Sequence, residues 1–183
     1  MRELPEQARR LLISVDAPPR LLAHHAMVHD VVVTLVEGIE RNWPNVPLDK
    51  QAALFGAATH DIGKSLHEEE MRGPGRLHEN DGPALLTKLG VSEALARFAR
   101  THAQWALEPD PTIEDMLVAL ANTLWTGARN EHLEQHIIRY LVERNDEPEW
   151  SVFARFDDIL LEALEGSGER YALYRAIPDD ADD

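Results

Sequence analysis

The stretch Ala57-Ala58-Thr59-His60-Asp61-Ile62-Gly63-Lys64 closes an apolar helical segment with an imidazole and a carboxylate side by side. The charge of an Asp near a helix C-terminus opposes the helix dipole, so a cation is needed to explain it there. Adjacent helical residues point about 100° apart, so both side chains reach one ion only from a helix end or with the ion between their directions. The second oxygen of Asp61 leaves room to bridge a second ion. Gly56, Ala57 and Ala58 are small, which lets a neighbouring helix bring further ligands within the ~2 Å of a metal–ligand bond.

The chain around this stretch has 183 residues and is 44% hydrophobic, enough for one domain with a sizeable core. Apolar residues recur at helical spacing nearly throughout, and no strand-like alternation stands out, so the expected fold is an all-α helical bundle in one domain. Helices are expected over about 5–15, 19–41, 49–63, 78–89, 92–101, 112–129, 131–144 and 149–164. Asp49 is the expected cap of the third, and Gly63 its left-handed stop. A polar loop over 65–77 turns most sharply at Gly73-Pro74-Gly75. The domain is read as 1–177, with 178–183 as an acidic disordered tail.

Composition also excludes several functions. No apolar run reaches the roughly 18 to 20 residues of a membrane helix, and the N-terminus lacks a secretory core, so a cytoplasmic protein without membrane partners is expected. The chain has no cysteine, which leaves nitrogen and oxygen as the donors of any metal site. A formal charge of −15 argues against a nucleic-acid partner and for a small-molecule substrate.

The second expected helix carries His24, His25 and His29. With Val28 at zero, Leu21, Val32, Leu35 and Ile39 lie within roughly 40° of one line, at about 100° per residue. His24 falls at about −40°, inside this stripe, where an imidazole must be hydrogen-bonded or metal-bound. His25 at about 60° and His29 at about 100° are expected to face solvent. His132 and His136 have metal-like i, i+4 spacing but no clear third ligand, and read as surface residues. In the 112–129 helix, Ile113, Leu117, Leu120 and Leu124 form one stripe while Val118 and Trp125 flank Asn122. A buried amide at Asn122 would then need a metal, a ligand or a histidine.

Taken together, the order and spacing of these pieces resemble the HD-domain metal-dependent phosphohydrolase superfamily. The resemblance runs from about Arg20 to Arg129. It rests on an early histidine in a long helix, His60-Asp61 followed by Ile62-Gly63-Lys64, His78 with Glu79 and Gly82, and then His102. It implies that His24, His60 and Asp61 serve one divalent ion and that Asp61, His78 and His102 serve a second, with Mn, Fe, Co, Ni or Zn as candidates. The family's final aspartate aligns with Asn122, whose amide oxygen can ligate but brings no charge.

The resemblance also implies hydrolysis of a nucleotide or other small phosphate ester, with Asp61 and Lys64 as catalytic residues. Lys64, carried on a tight turn beside the pair, is placed to contact a phosphate. Arg129, after Gly127, is a second candidate for anion binding, although it can equally cap the end of its helix. Two alternatives remain open: a non-catalytic binding or regulatory module in which Asn122 marks a weakened site, and a di-iron oxygenase on the same scaffold. Asn122→Asp should tighten metal binding by at least about tenfold, measured by competition with a chelator dye. Unchanged affinity would remove Asn122 from the metal's ligands.

Overall fold

The pair Pro18-Pro19 starts the helix around which the others pack, because proline's fixed φ and missing N–H suit the first helical turn. A computed structural model describes residues 1–71 and 73–178, apart from the side chain of Glu68. Its helices are α1 (Glu6–Ser14), α2 (Pro19–Asn42), α3 (Lys50–Ala57), α4 (Leu77–Lys88), α5 (Glu93–Ala96), α6 (Phe98–Gln104), α7 (Ile113–Leu124), α8 (Glu131–Glu143), α9 (Glu149–Leu164) and α10 (Ser167–Arg175). Short 3-10 turns occupy Ile62–Leu66, Glu68–Met71 and Trp105–Leu107. Among the described residues there is no strand, and no helix is long and apolar enough to cross a membrane. The expected all-α bundle is what the chain forms. The acidic residues 179–183 lie outside the described residues.

Helix α2 packs against α3, α7, α9 and α10, and buried side chains therefore surround it on most sides. This corrects the expectation for two histidines: His25 and His29 are buried, not solvent-facing. A stripe calculation assumes one covered face, and α2 is covered on several. The main core joins α2 to α3, α7, α8 and α9 through residues such as Val32, Leu35, Leu117, Ile137 and Phe156. A second core under α1, α4 and α6 contains Leu12, Phe55, Ile62 and Leu86. Helix α3 belongs to both, with Ala53 and Ala57 in the first and Phe55 and Ala58 in the second. The segment that leaves α3 thus emerges where two cores meet.

That segment departs from the expected helix. Asp49 caps α3 by accepting a hydrogen bond from the Ala52 N–H, but the helix stops at Ala57 and not at Gly63. Gly63 lies inside a 3-10 turn and its φ is not positive. Its value is space: an added methyl would overlap the His78 carbonyl and press on Gly82. The close approach of these two glycines seats α4 beside Asp61. Gly56 acts similarly, since a methyl there would enter the Phe98 ring on α6. At the far end of α4, Gly90 adopts φ +86°, and the Val91 N–H returns to the Leu86 carbonyl, the bond of a glycine-terminated helix.

Two further boundaries differ, and one helix is added. The expected 92–101 helix breaks at Arg97 into α5 and α6, and α7 ends at Leu124, before a turn completed by Gly127 at φ +93°. Helix α10 gives no sequence signal because none of its residues is buried, so it has no apolar stripe to read.

The buried α2 histidines make stability sensitive to acid. Burial is the main cause that pushes His29 down to about 4 and His25 down to about 3. Both are neutral in the folded protein at pH 7, whereas the unfolded chain takes up protons near pH 6.5. Stability is therefore complete above about pH 6.5 and falls as pH drops towards 4, with His29 contributing on the order of 3 kcal/mol. Urea unfolding at pH 7 and pH 4.5 should show this loss, and His29→Gln should shrink the difference. An undiminished pH dependence in that variant would assign the loss elsewhere.

Candidate metal centre

His60 and Asp61 follow the last turn of α3 instead of continuing it, and this lets both side chains point to one place. The Thr59 N–H bonds to the Gly56 carbonyl and the Ile62 N–H to the Thr59 carbonyl, so the chain winds tightly through the pair. Both residues are buried, with His60 at 0% and Asp61 at 1% exposure. A carboxylate at that depth requires cations or strong donors.

Four imidazoles from four segments meet it. His24 Nε2 on α2 lies 3.2 Å from Asp61 Oδ2, and His60 Nε2 lies 3.7 Å from the same oxygen. His78 Nε2 on α4 and His102 Nε2 on α6 each lie 3.2 Å from Oδ1. The ligand atoms form two groups compatible with an ion, His24-His60-Asp61 and Asp61-His78-His102, which share the aspartate. Lys64 Nζ donates to Oδ2 at 2.5 Å.

The outer nitrogens of three of these rings decide where the inner lone pairs point. His60 Nδ1 is 2.9 Å from the Ala57 carbonyl, and His102 Nδ1 is 3.2 Å from the Phe98 carbonyl. A carbonyl only accepts, so each Nδ1 carries a proton, and in the neutral form of either ring the Nε2 lone pair points inward. His78 Nδ1 meets the Glu70 carboxylate at 2.5 Å and so carries a proton on its outer side as well. Lone pairs turned inward around a carboxylate repel it unless positive charge lies among them. In keeping with this, Asp61 Oδ1 has no aligned hydrogen bond despite the two Nε2 atoms at 3.2 Å, and the Nε2 atoms of His24 and His60 are only 3.0 Å apart. These donors fit a divalent ion, with imidazoles oriented from behind as in many metal sites.

The electrostatics agree. The Asp61 carboxyl is held well below its ordinary value against its own burial, which with His60 neutral needs positive charge or donors among the other groups around it. Burial holds His60 far below the ordinary imidazole range, hence neutral and able to ligate. Glu70 opposes its own burial through donors from His78 Nδ1 and the Leu77 and His78 N–H groups, and is held down to about 2. At His78, burial is overcome by Asp61 and Glu70, and its pKa is raised.

Glu70 is the residue of this cluster that sequence reading missed. It lies in a segment read as polar loop, yet it is buried, and its carboxylate fills the space beside Gly75. Three consecutive glutamates at 68–70 offered no means of singling it out.

Other expected site residues are placed as follows. Asn122 lines a pocket of about 320 Å³ together with His24, Asp61 and Lys64, but it is half-buried, not enclosed as expected. Only part of the α7 surface at this turn is covered, because the pocket opens there. Asp115, one helical stretch away, instead caps α7 and accepts from the Thr101 hydroxyl at 2.7 Å and from Arg97, which fixes the α6 turn that presents His102. Arg129 does not reach the pocket. It lies in the loop after α7, and its guanidinium pairs with Glu134 at 2.7 Å and with Asp157 at 3.0 Å, tying α8 to α9. His132 and His136 pack on Trp105, away from the centre.

Because Glu70 orients His78 and adds negative charge behind it, Glu70→Gln should weaken metal binding by roughly 10- to 100-fold. Calorimetric titration with Mn²⁺ or Zn²⁺ measures this, and an unchanged affinity would show that His78 needs no carboxylate behind it.

No curated protein and no solved structure matches the chain. The model of the HD domain family matches residues 21–126, a span that contains all four converging histidines, Asp61 and Asn122. That span exceeds half of the 183 residues, and the chain belongs to the HD domain family.

Proposed function

We infer that the protein is a metal-dependent phosphohydrolase acting on a small phosphate ester. The observation that carries this reading is the convergence of four Nε2 atoms on the two oxygens of buried Asp61, with three rings fixed from behind by acceptors. His24, His60 and Asp61 would hold one divalent ion, and Asp61, His78 and His102 another. When bound, such an ion supplies Lewis acidity, lowers the pKa of water and offsets phosphoryl charge.

The chain's own residues supply the rest. Lys64 extends from the turn after the pair into the pocket, where its ammonium can meet a phosphoryl oxygen and follow charge that builds there during transfer. Asp61, charged and anchored by four rings, accepts a proton or holds a water in line. Asn122 presents an amide that can donate to the ester or ligate through its oxygen, without the charge an aspartate would bring. Leu21 and Met71 line the same pocket and limit the water around the reacting group.

A second reading, a regulatory module that binds metal or ligand without turnover, draws on Asn122: the pocket that His24 lines has an amide where the family pattern places a carboxylate. Purified protein, loaded in turn with Mn, Fe, Co, Ni and Zn and assayed for phosphate release from phosphomonoesters and nucleotides, separates the readings. The expected result is bound metal, turnover with at least one of these ions, and a loss of about 10³-fold or more in Asp61→Ala. Metal without turnover would favour the module, and oxygen consumption by an iron-loaded form would favour the oxygenase.

A further inference from the structure

The pocket beside the centre has a wall that the HD-matched segment does not supply. Tyr174 comes from α10, beyond residues 21–126, and lines the same space as Asp61, Lys64 and Asn122. It meets Trp125 in an edge-to-face contact with ring centroids 5.0 Å apart. Trp125 in turn stands edge-on to His24 at 5.2 Å. An unbroken aromatic series therefore runs from a candidate metal ligand to Tyr174 in the pocket wall.

Trp125 belongs to the main core and Tyr174 packs against it, and two observations mark the Tyr174 ring as pocket wall as well. Helix α10 buries none of its residues, and Tyr174 is only half-buried, which leaves part of its ring to line the pocket. Arg20 from α2 lies over the Tyr174 ring at 4.8 Å, a cation–π contact that fixes the ring's orientation from one side. Leu21 and Met71 add apolar lining, while Asn122 and Thr126 offer polar groups at the same pocket. A volume of about 320 Å³ lies at the small end of the range for small-molecule sites.

We propose that Trp125 and Tyr174 form an aromatic subsite for the leaving group of the ester, which selects phosphomonoesters whose leaving group carries a planar unsaturated ring. The proposal rests on the phosphohydrolase reading for its account of the phosphate, while the subsite itself stands on the pocket geometry. Aryl phosphates and nucleoside monophosphates share the required chemistry. The planar group stacks against or meets edge-on the Tyr174 and Trp125 rings, and the phosphate lies towards Lys64 and Asp61. Tyr174 is then a specificity residue that the appended helix brings to the site.

Phosphonates test the subsite without relying on turnover, because their C–P bond is not hydrolysed. Calorimetry with Mn²⁺ present compares benzylphosphonate with cyclohexylmethylphosphonate, which has the same carbon count but no planar ring. The benzyl compound should bind about fivefold more tightly or better. Tyr174→Ala should abolish this preference and Tyr174→Phe should keep it, with circular dichroism verifying that both variants fold. Equal binding of the two compounds by the parent protein, or a preference that survives Tyr174→Ala, overturns the proposal. A nucleoside 5′-phosphonate that outbinds its base-free ribose counterpart, and loses that advantage in Tyr174→Ala, supports a nucleobase as the planar group. Equal binding of that second pair with the benzyl preference intact supports an aryl group. Absence of phosphate release alongside an intact benzyl preference overturns hydrolysis alone and leaves the subsite standing.

Discussion

The structure depends on one buried carboxylate. Asp61 is charged and almost completely enclosed, a state that is very unfavourable unless donors or cations compensate it. Each segment that approaches it brings one nitrogen to it: His24 from α2, His60 from the preceding residue, His78 from α4, His102 from α6 and Lys64 from the following turn. The two glycine contacts, Gly63 with Gly82 and Gly56 with Phe98, make those approaches sterically possible. Asp115 holds the α6–α7 junction so that His102 arrives in register. Packing and electrostatics thus serve the same atom.

The two oxygens of Asp61 are not equivalent. Behind Oδ1, Glu70 adds a second negative charge through His78, so a cation there would be balanced by two carboxylates. On the Oδ2 side, Lys64 contributes positive charge and Asn122 contributes none, so a cation there would have only Asp61 to offset it. By Coulombic balance in a poorly solvated site, the space between His78 and His102 is the more favourable of the two for a cation.

Much of this was legible in the sequence, and for identifiable reasons. Helical periodicity, the Asp49 cap and the His60-Asp61 pair are local signals, and local signals survive folding. His24 was readable because it interrupts an apolar stripe. His78 and His102 carried no such mark and were found through family spacing. What failed was whatever depends on surroundings. His25 and His29 looked exposed because a helical wheel cannot show that α2 has neighbours on several sides. Arg129 looked free because its partners Glu134 and Asp157 come from later helices. Glu70 was hidden among like residues, since its role comes from a hydrogen bond across the fold. The end of α3 was misplaced at Gly63 because a glycine needed for helix contact looks the same as one needed for a left-handed turn.

Helix α10 extends this contrast to function. The residues around Asp61 lie within the matched HD segment, and their spacing can be carried from one member of the family to another. Tyr174 lies outside that segment on a helix with no buried stripe, so neither family pattern nor periodicity announces it. A metal-centred core can remain constant while an added helix places one ring at the pocket mouth. Helix α10 contacts the bundle at α2, and its tyrosines touch Trp125, so changes there can alter recognition while leaving the Asp61 cluster in place. The buried charge constrains the Asp61 cluster, and it does not constrain the surface elements that complete the pocket wall.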